Sequence, residues 1–313
     1  MIEGFRPDVV HTHSAKAGIL GRAAATAAHV PAIVHTVHGA PFHPYQGRAA
    51  REAIRRCERW AALRCDALIS VADAMTELLV EADVAPREKF TTIYSGMEVE
   101  PFLNSAQHRD AMRRSLGYDD HHVVVGKVAR LFHLKGHEYL IEAARALVPQ
   151  YPQLRFLIVG DGLLRDSLVA DIEAAGLTDH FQLVGLVPAH EVPKYLAAMD
   201  IVAHASLREG LARVLPQALL AGKPAVSFDV DGAREVVIDG VTGCLVPAQD
   251  ADRLAHAIKS LIDHQDLRTQ MGEEGRRRCA EVFPHQRMTQ QIRALYERLL
   301  TGKDSSASTS AHR

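Results

Sequence analysis

Ten short runs of mostly β-branched and aliphatic residues punctuate the chain, and segments of helical period lie among them. In the first third the runs are Asp8–His11, Ala32–Val37, Ala67–Val71 and Phe90–Tyr94. They recur at His122–Ala129, Arg155–Val159, Phe181–Val184, Asp200–His204, Pro224–Phe228 and Gly243–Val246. Helical period is read at Lys16–Ala28, Arg48–Arg64, His137–Leu147, Leu163–Ala175 and Ala251–Ile262. Runs apolar on both faces that alternate with helices predict parallel sheets built from βαβ units. The polar stretch Glu100–Asp120, with Pro101 and Asn104, predicts a boundary between a four-strand part and a complete six-strand, doubly wound domain. The chain's 313 residues are enough for two ordinary domains, each with its own core.

Composition narrows the function classes. With 36 Lys+Arg against 38 Asp+Glu, the net charge of −2 argues against a nucleic-acid partner, which calls for a basic excess. No apolar run reaches the roughly 18 residues of a membrane span. MIEGFRPDVV lacks the charged, apolar and small-residue regions of a signal peptide. Cys57, Cys65, Cys244 and Cys279 form no C-x-x-C pair, so a disulfide framework is not expected and a cytoplasmic setting is. TGKDSSASTSAHR, residues 301–313, is polar and small and is expected to be a disordered tail.

In open parallel sheets, ligands bind outside the carboxyl ends of the strands. Those ends carry His11-Thr12-His13, His35 through Gly39 and Ser95-Gly96-Met97 in the first part. In the second they carry Arg130 through Gly136, Gly160-Asp161-Gly162, Leu186–Pro188, Ser206–Ala212 and Asp229–Ala233. The Arg130 loop leads from a strand into a helix at His137. A helix N-terminus favours phosphate, and Arg130 and Lys135 add two full charges there, so a diphosphate is the natural guest. A surface Arg and Lys are equally ordinary in such loops. Gly160-Asp161-Gly162 lacks the third glycine of a dinucleotide fingerprint, since position 165 is Arg, and reads better as a tight turn. Pro216 is tolerated only in a first helical turn, so a helix is expected to begin near Ala212 or Arg213. Glu209 then precedes that helix and Gln217 lies inside it, about 12 Å further along at 1.5 Å per residue. That span suits two polar groups holding opposite ends of an elongated ligand. Glu209 as a mere helix-start acid is the alternative.

Ser206-Leu-Arg-Glu209-Gly210 through Gln217, Gly222-Lys-Pro-Ala-Val, and Asp239-Gly-Val-Thr-Gly through Pro247 resemble the donor half of retaining glycosyltransferases of family 4. Gly126-Lys-Val-Ala-Arg130-Leu, Lys135-Gly136 and Phe156-Leu-Ile-Val-Gly-Asp-Gly162 match the same family. Pro7-Asp-Val-Val-His-Thr-His13, Val34-His-Thr-Val-His38-Gly39 and Tyr94-Ser-Gly-Met97 look like its acceptor half. The resemblance covers residues 5 to about 300. It implies an α/β GT-B fold: two Rossmann-like parallel-sheet domains facing a cleft, the first one incomplete. The expected division is an acceptor-side domain at 1–108, a nucleotide-sugar donor domain at 109–284, and a helix at 285–300 packing back toward the first domain.

The resemblance assigns roles residue by residue. Arg130 and Lys135, with Gly136, would hold the donor diphosphate and stabilise it as a leaving group. Glu209 would contact the transferred sugar, and Gly210, Leu211 and Ala212 would offer backbone N–H groups. Gln217 would meet the ribose; the family usually has a glutamate there. His38 would be the acceptor-side histidine near the transferred sugar, with His13 and Gly39 beside it. Transfer would retain configuration and need no carboxylate pair, no metal and no cofactor beyond the nucleotide-diphosphate sugar donor. The acceptor would be a sugar or a lipid-linked sugar. Relative to the family, roughly two βαβ-sized units are expected to be missing before Pro7. His11, His13, His35 and His38 read as polar strand ends rather than metal ligands. Arg48, Arg51, Arg55 and Arg59 form one helical stripe. It reads either as a weak peripheral contact with anionic lipid at the inner face of a membrane or, preferably, as a solvated face beside Glu52 and Glu58.

Overall fold

The structure, a computed structural model, describes residues 2–310. Its chain forms two compact units, one from the residues up to Gly96 plus those from His285, the other from Met97–Pro284. The first unit has a four-stranded parallel sheet of β1 (Val9–His13), β2 (Ala32–Val37), β3 (Ala67–Ser70) and β4 (Phe90–Thr92), ordered 1-2-3-4. β2 and β3 are buried along their whole length, which is why their sequences do not alternate polar with apolar. The helix His285–Ser310 belongs to this unit. It lays Met288, Ile292, Leu295, Tyr296 and Leu299 on Val34, Ala67, Ile69 and Ile93. Those positions recur three and four apart, so they form one face. Burying Leu295 contributes roughly 1.5–3 kcal/mol by itself.

The second unit has six parallel strands: β5 (Val123–Val128), β6 (Leu154–Val159), β7 (Phe181–Gly185), β8 (Ile201–His204), β9 (Ala225–Phe228) and β10 (Gly243–Val246). Their order is 10-9-8-5-6-7. The winding direction reverses between β5 and β8, the kind of topological switch point beside which open parallel sheets bind their ligands. The core beneath holds Val125, Phe156, Ile201, Val226 and Phe228, with Leu140, Leu147 and Leu254 from covering helices.

Two expectations about boundaries are corrected. The division falls at Gly96/Met97, not between residues 108 and 109. The segment after Met97 is tied into the second unit: Met97 N–H donates to Phe283 O at 2.9 Å, and Arg276 donates to Leu103 O at 2.6 Å. The expected tail from residue 301 is instead helical as far as Ser310, while 311–313 lie outside the described residues. Once the apolar face anchors the helix, each added residue gains a backbone bond without a new nucleation cost. Thr301 also bonds back to Glu297 O at 2.9 Å.

Candidate active site

Three loops at the carboxyl ends of β5, β6 and β8 are laced together by their backbones. Leu131 N–H donates to Asp161 O at 2.9 Å, Leu164 N–H to Leu131 O at 3.0 Å and Leu207 N–H to Leu134 O at 2.9 Å. Gly160 and Gly162 allow the closeness: a Cβ on Gly160 would lie 2.0 Å from Ala129 O, and one on Gly162 2.4 Å from Leu131 O. The G-x-G fragment is thus a packing turn, as its missing third glycine implied. Gly136 ends the first loop at φ +63°, and a Cβ there would sit 1.8 Å from Ala205 O. No other residue fits. The helix His137–Leu147 starts at that point without a side-chain cap, leaving its first N–H groups for a ligand. His137 Nε2 donates to Arg130 O at 3.0 Å and pins the loop from below. The Arg130 side chain is exposed, its guanidinium 5.0 Å from the centre of the Phe132 ring.

Lys135 and Glu209, separated by 74 positions in sequence, meet: Nζ donates to Oε1 at 2.5 Å, with each side chain about one-fifth exposed. Burial alone would raise the Glu209 carboxyl, but His204 and Lys135 beside it prevail and hold it down at about 2. It is therefore a carboxylate throughout the neutral range. Glu209 N–H donates to Asp231 Oδ2 at 2.6 Å, which fixes the backbone of the loop. Behind the pair stand two residues that sequence reasoning did not single out. His204 Nε2 lies 3.5 Å from Glu209 Oε1, at the outer limit of hydrogen-bond distance, and burial lowers the pKa of the imidazole while the Glu209 carboxylate works against that. Lys127, one residue before the end of β5, is fully buried, and burial pulls its ammonium down to about 7. Neither Lys127 Nζ nor the Ser206 hydroxyl has a hydrogen-bond partner among the described residues. A charged residue inside a strand buried on both faces was the available signal for Lys127.

The helix after Glu209 runs Val214–Leu220, a residue or two later than expected, with Pro216 in its first turn. Leu211 and Ala212 are buried in the connecting loop, and Gly232 N–H donates to Gly210 O at 3.3 Å. Gln217 is half-buried on the helix, its own N–H bonded to Arg213 O at 3.2 Å.

In the first unit the strand ends gather histidines. His11 lies between the Tyr296 hydroxyl at 2.5 Å and the Thr36 hydroxyl at 2.7 Å, and burial pulls it down to about 4. His35 faces the Thr12 hydroxyl at 2.9 Å and is pulled down to about 3 by burial and then by Arg22. His13 Nδ1 and His38 Nε2 are 3.0 Å apart, so one ring donates to the other. His38 and Gly39 line a cavity of about 330 Å3 together with Ser14 and the buried Arg22–Glu58 ion pair, closed at 2.9 Å. Among the described residues no three His, Cys, Asp or Glu are grouped to hold a metal ion. On the Arg48–Ala62 helix, Arg55 is held by Glu52 at 2.8 Å and the exposed Arg59 by Asp83, while the exposed Arg48 and Arg51 are in no ion pair among the described residues. Among the described residues no helix is long and apolar enough to cross a membrane.

Two parallel-sheet units, with a cation–carboxylate pair at the switch point of the second, define a glycosyltransferase of GT-B fold. Residues 108–278 match the family model of glycosyl transferases group 1, and residues 1–96 that of a glycosyl transferase 4-like domain. The chain belongs to the glycosyl transferases group 1 family. Among curated relatives, the UDP-Gal:alpha-D-GlcNAc-diphosphoundecaprenol alpha-1,3-galactosyltransferase of Escherichia coli is 29% identical over 95% of this chain and 76% of its own length. The D-inositol 3-phosphate glycosyltransferase of Thermobispora bispora is 30% identical over 85% of this chain and 65% of its own. The crystal structure of Anabaena HepE in complex with UDP-glucose superposes with a TM-score of 0.82 at 26% identity, covering 93% of this chain and 78% of that one.

Proposed function

We propose that the protein moves a hexose or N-acetylhexosamine from a nucleotide-diphosphate sugar to a sugar or lipid-linked acceptor, with retention of configuration, in cell-envelope or exopolysaccharide synthesis. The observation that carries the reading is the Lys135–Glu209 pair at the loop end where Arg130 and a free helix N-terminus also lie. The galactosyltransferase activity named for the Escherichia coli relative and the UDP-glucose bound to HepE support it. Arg130, Lys135 and the N–H groups beyond Gly136 take the diphosphate, neutralising the charge that grows as it leaves. Glu209, with the backbone of Gly210, Leu211 and Ala212, orients the sugar, and Gln217 meets the ribose. His38, with His13 bonded to it and Gly39 next to it, serves the acceptor. The acceptor oxygen bonds to the anomeric carbon, the bond from that carbon to the diphosphate breaks, and the acceptor proton passes to the departing phosphate. Arg48 and Arg51 offer a weak contact with anionic lipid for a lipid-linked acceptor at the inner face of a membrane. Incubation with UDP-galactose or UDP-N-acetylglucosamine and a lipid-diphosphate-linked sugar tests the reading. An α-linked product by proton NMR is the expected result; a β-linked product excludes retention, and no turnover with any hexose donor excludes the reaction class.

A further inference from the structure

We propose that the second unit holds a phosphate-type dianion in a cationic cavity at the end of its sheet away from the Arg130 and Glu209 loops. The cavity, about 650 Å3, opens where β5, β8 and β9 begin, against Val123, Asp200 and Lys223-Pro224. Its charges do not balance. Asp200 is the one carboxylate in the depth of the cavity, and its oxygens are already engaged. Arg109 holds Oδ1 at 2.6 Å, and Arg113 and the Val124 N–H hold Oδ2 at 3.2 and 2.8 Å. Two guanidinium groups against one carboxylate leave a positive charge over. Lys223 and Arg268 line the same space, and neither is in an ion pair among the described residues. Arg268 donates to Leu261 O at 2.9 Å, and the Lys223 ammonium makes no hydrogen bond among the described residues.

This crowding registers in the groups themselves. Burial and then Arg109 pull Lys223 down to about 8, against the opposing pull of Asp200, and burial also lowers Arg268. A dianion seated between Lys223 and Arg268 relieves both, and its hydrogen bonds there are charge-assisted. The helix Gln265–Val282 adds to the attraction, since its first turn borders the cavity without a side-chain cap. Asp120 and Glu273 stand at the rim, exposed to solvent, where their repulsion of a deeper anion is screened. The volume accommodates orthophosphate with room for the organic part of a phosphomonoester. None of these residues takes part in the proposed transfer reaction, so the two readings stand or fall separately.

Equilibrium dialysis of the full chain against radiolabelled orthophosphate tests the site, in parallel with the Arg130→Ala/Lys135→Ala double variant, whose donor loops no longer attract anions. The expected stoichiometry is two phosphates on the wild type and one on the double variant. Adding Lys223→Met or Arg268→Gln weakens that remaining site by about tenfold or more. Sulfate competes for it; chloride at equal ionic strength does not. Phenyl phosphate binding more tightly than orthophosphate points to a phosphomonoester, and equal binding to free phosphate. One phosphate on the wild type with none on the double variant overturns the proposal, as does equal displacement by chloride. Because the stoichiometries are read without touching the cavity, a pocket variant that fails to fold does not blunt the test.

Discussion

The strand ends of the two units follow one folding rule and carry opposite chemistry. In the first unit, polar groups at the ends of β1 and β2 are imidazoles bonded to hydroxyls or to one another, and burial keeps His11 and His35 neutral. In the second, the ends of β5 and β8 present full charges, Lys135 against Glu209 with Arg130 exposed beside them. In the proposed reaction, imidazoles would hydrogen-bond an uncharged acceptor hydroxyl, and fixed cations would stabilise a diphosphate as it leaves. The sheets place both sets by the same topology, so what divides the labour is which side chains the strand ends bear.

The sharpest test of the charged side is Glu209→Gln. The amide keeps shape but loses the charge that Lys135 holds, and with it a charge-assisted contact to the sugar. Turnover at saturating donor and acceptor should fall about 30- to 100-fold while the melting temperature moves little. Unchanged turnover would remove Glu209 from the reaction. Next in size is donor binding: Arg130→Ala or Lys135→Ala should each weaken a nucleoside diphosphate by roughly 10- to 100-fold in calorimetry. His13→Ala, on the neutral side, should leave that affinity alone. A loss as large with His13→Ala would break the division between the two regions.

Much of this was legible in the sequence. β2 (Ala32–Val37), β10 (Gly243–Val246) and the helix His137–Leu147 fall where the apolar runs and the helical period placed them. Gly136, Lys135 and Glu209 were readable because a strand-to-helix loop confines where its polar groups can point. His204 and Lys127 were not singled out, because their meaning is tertiary: it comes from β5 and β8 being neighbours at the switch point. The end of the first unit was misplaced for a similar reason. Pro101 and Asn104 do mark a break in secondary structure, but Met97 binds Phe283, which no local pattern reveals.

Acidification blurs the comparison in an instructive way. His35 has its proton affinity lowered from the ordinary 6.5 to about 3 by burial. The unfolded chain takes up a proton below pH 6.5 and the folded one does not. The stability tied to neutral His35 is therefore complete above pH 6.5 and falls as pH drops toward 3, by up to about 1.4 kcal/mol per pH unit. His137 behaves alike in the second unit, also lowered to about 3 by burial, so acid sensitivity is shared although chemistry is not. His35→Gln should shrink the loss of melting temperature between pH 7 and pH 5, measured by circular dichroism. An equal loss in the variant would mean that His35 is already solvated in the folded protein.

The smallest expected effect concerns Gln217, the one donor-side position where the chain departs from the glutamate usual in the family it resembles. A glutamate accepts from both ribose hydroxyls, and each such bond is charge-assisted. The amide accepts with its oxygen but presents N–H donors on its other side, so one hydroxyl must turn to receive it. The two side chains are nearly isosteric, and Gln217 is only half-buried, so a new charge there stays partly solvated. The difference should be one weakened bond of about 1 kcal/mol rather than collapse of the site. Gln217→Glu should then tighten nucleoside diphosphate binding by roughly three- to tenfold with little change in melting temperature. That outcome would extend the charged character of the second unit one step along the helix. Weaker binding would mean that the pocket has adapted to the amide, and that position 217 is not a glutamate-type ribose contact at all.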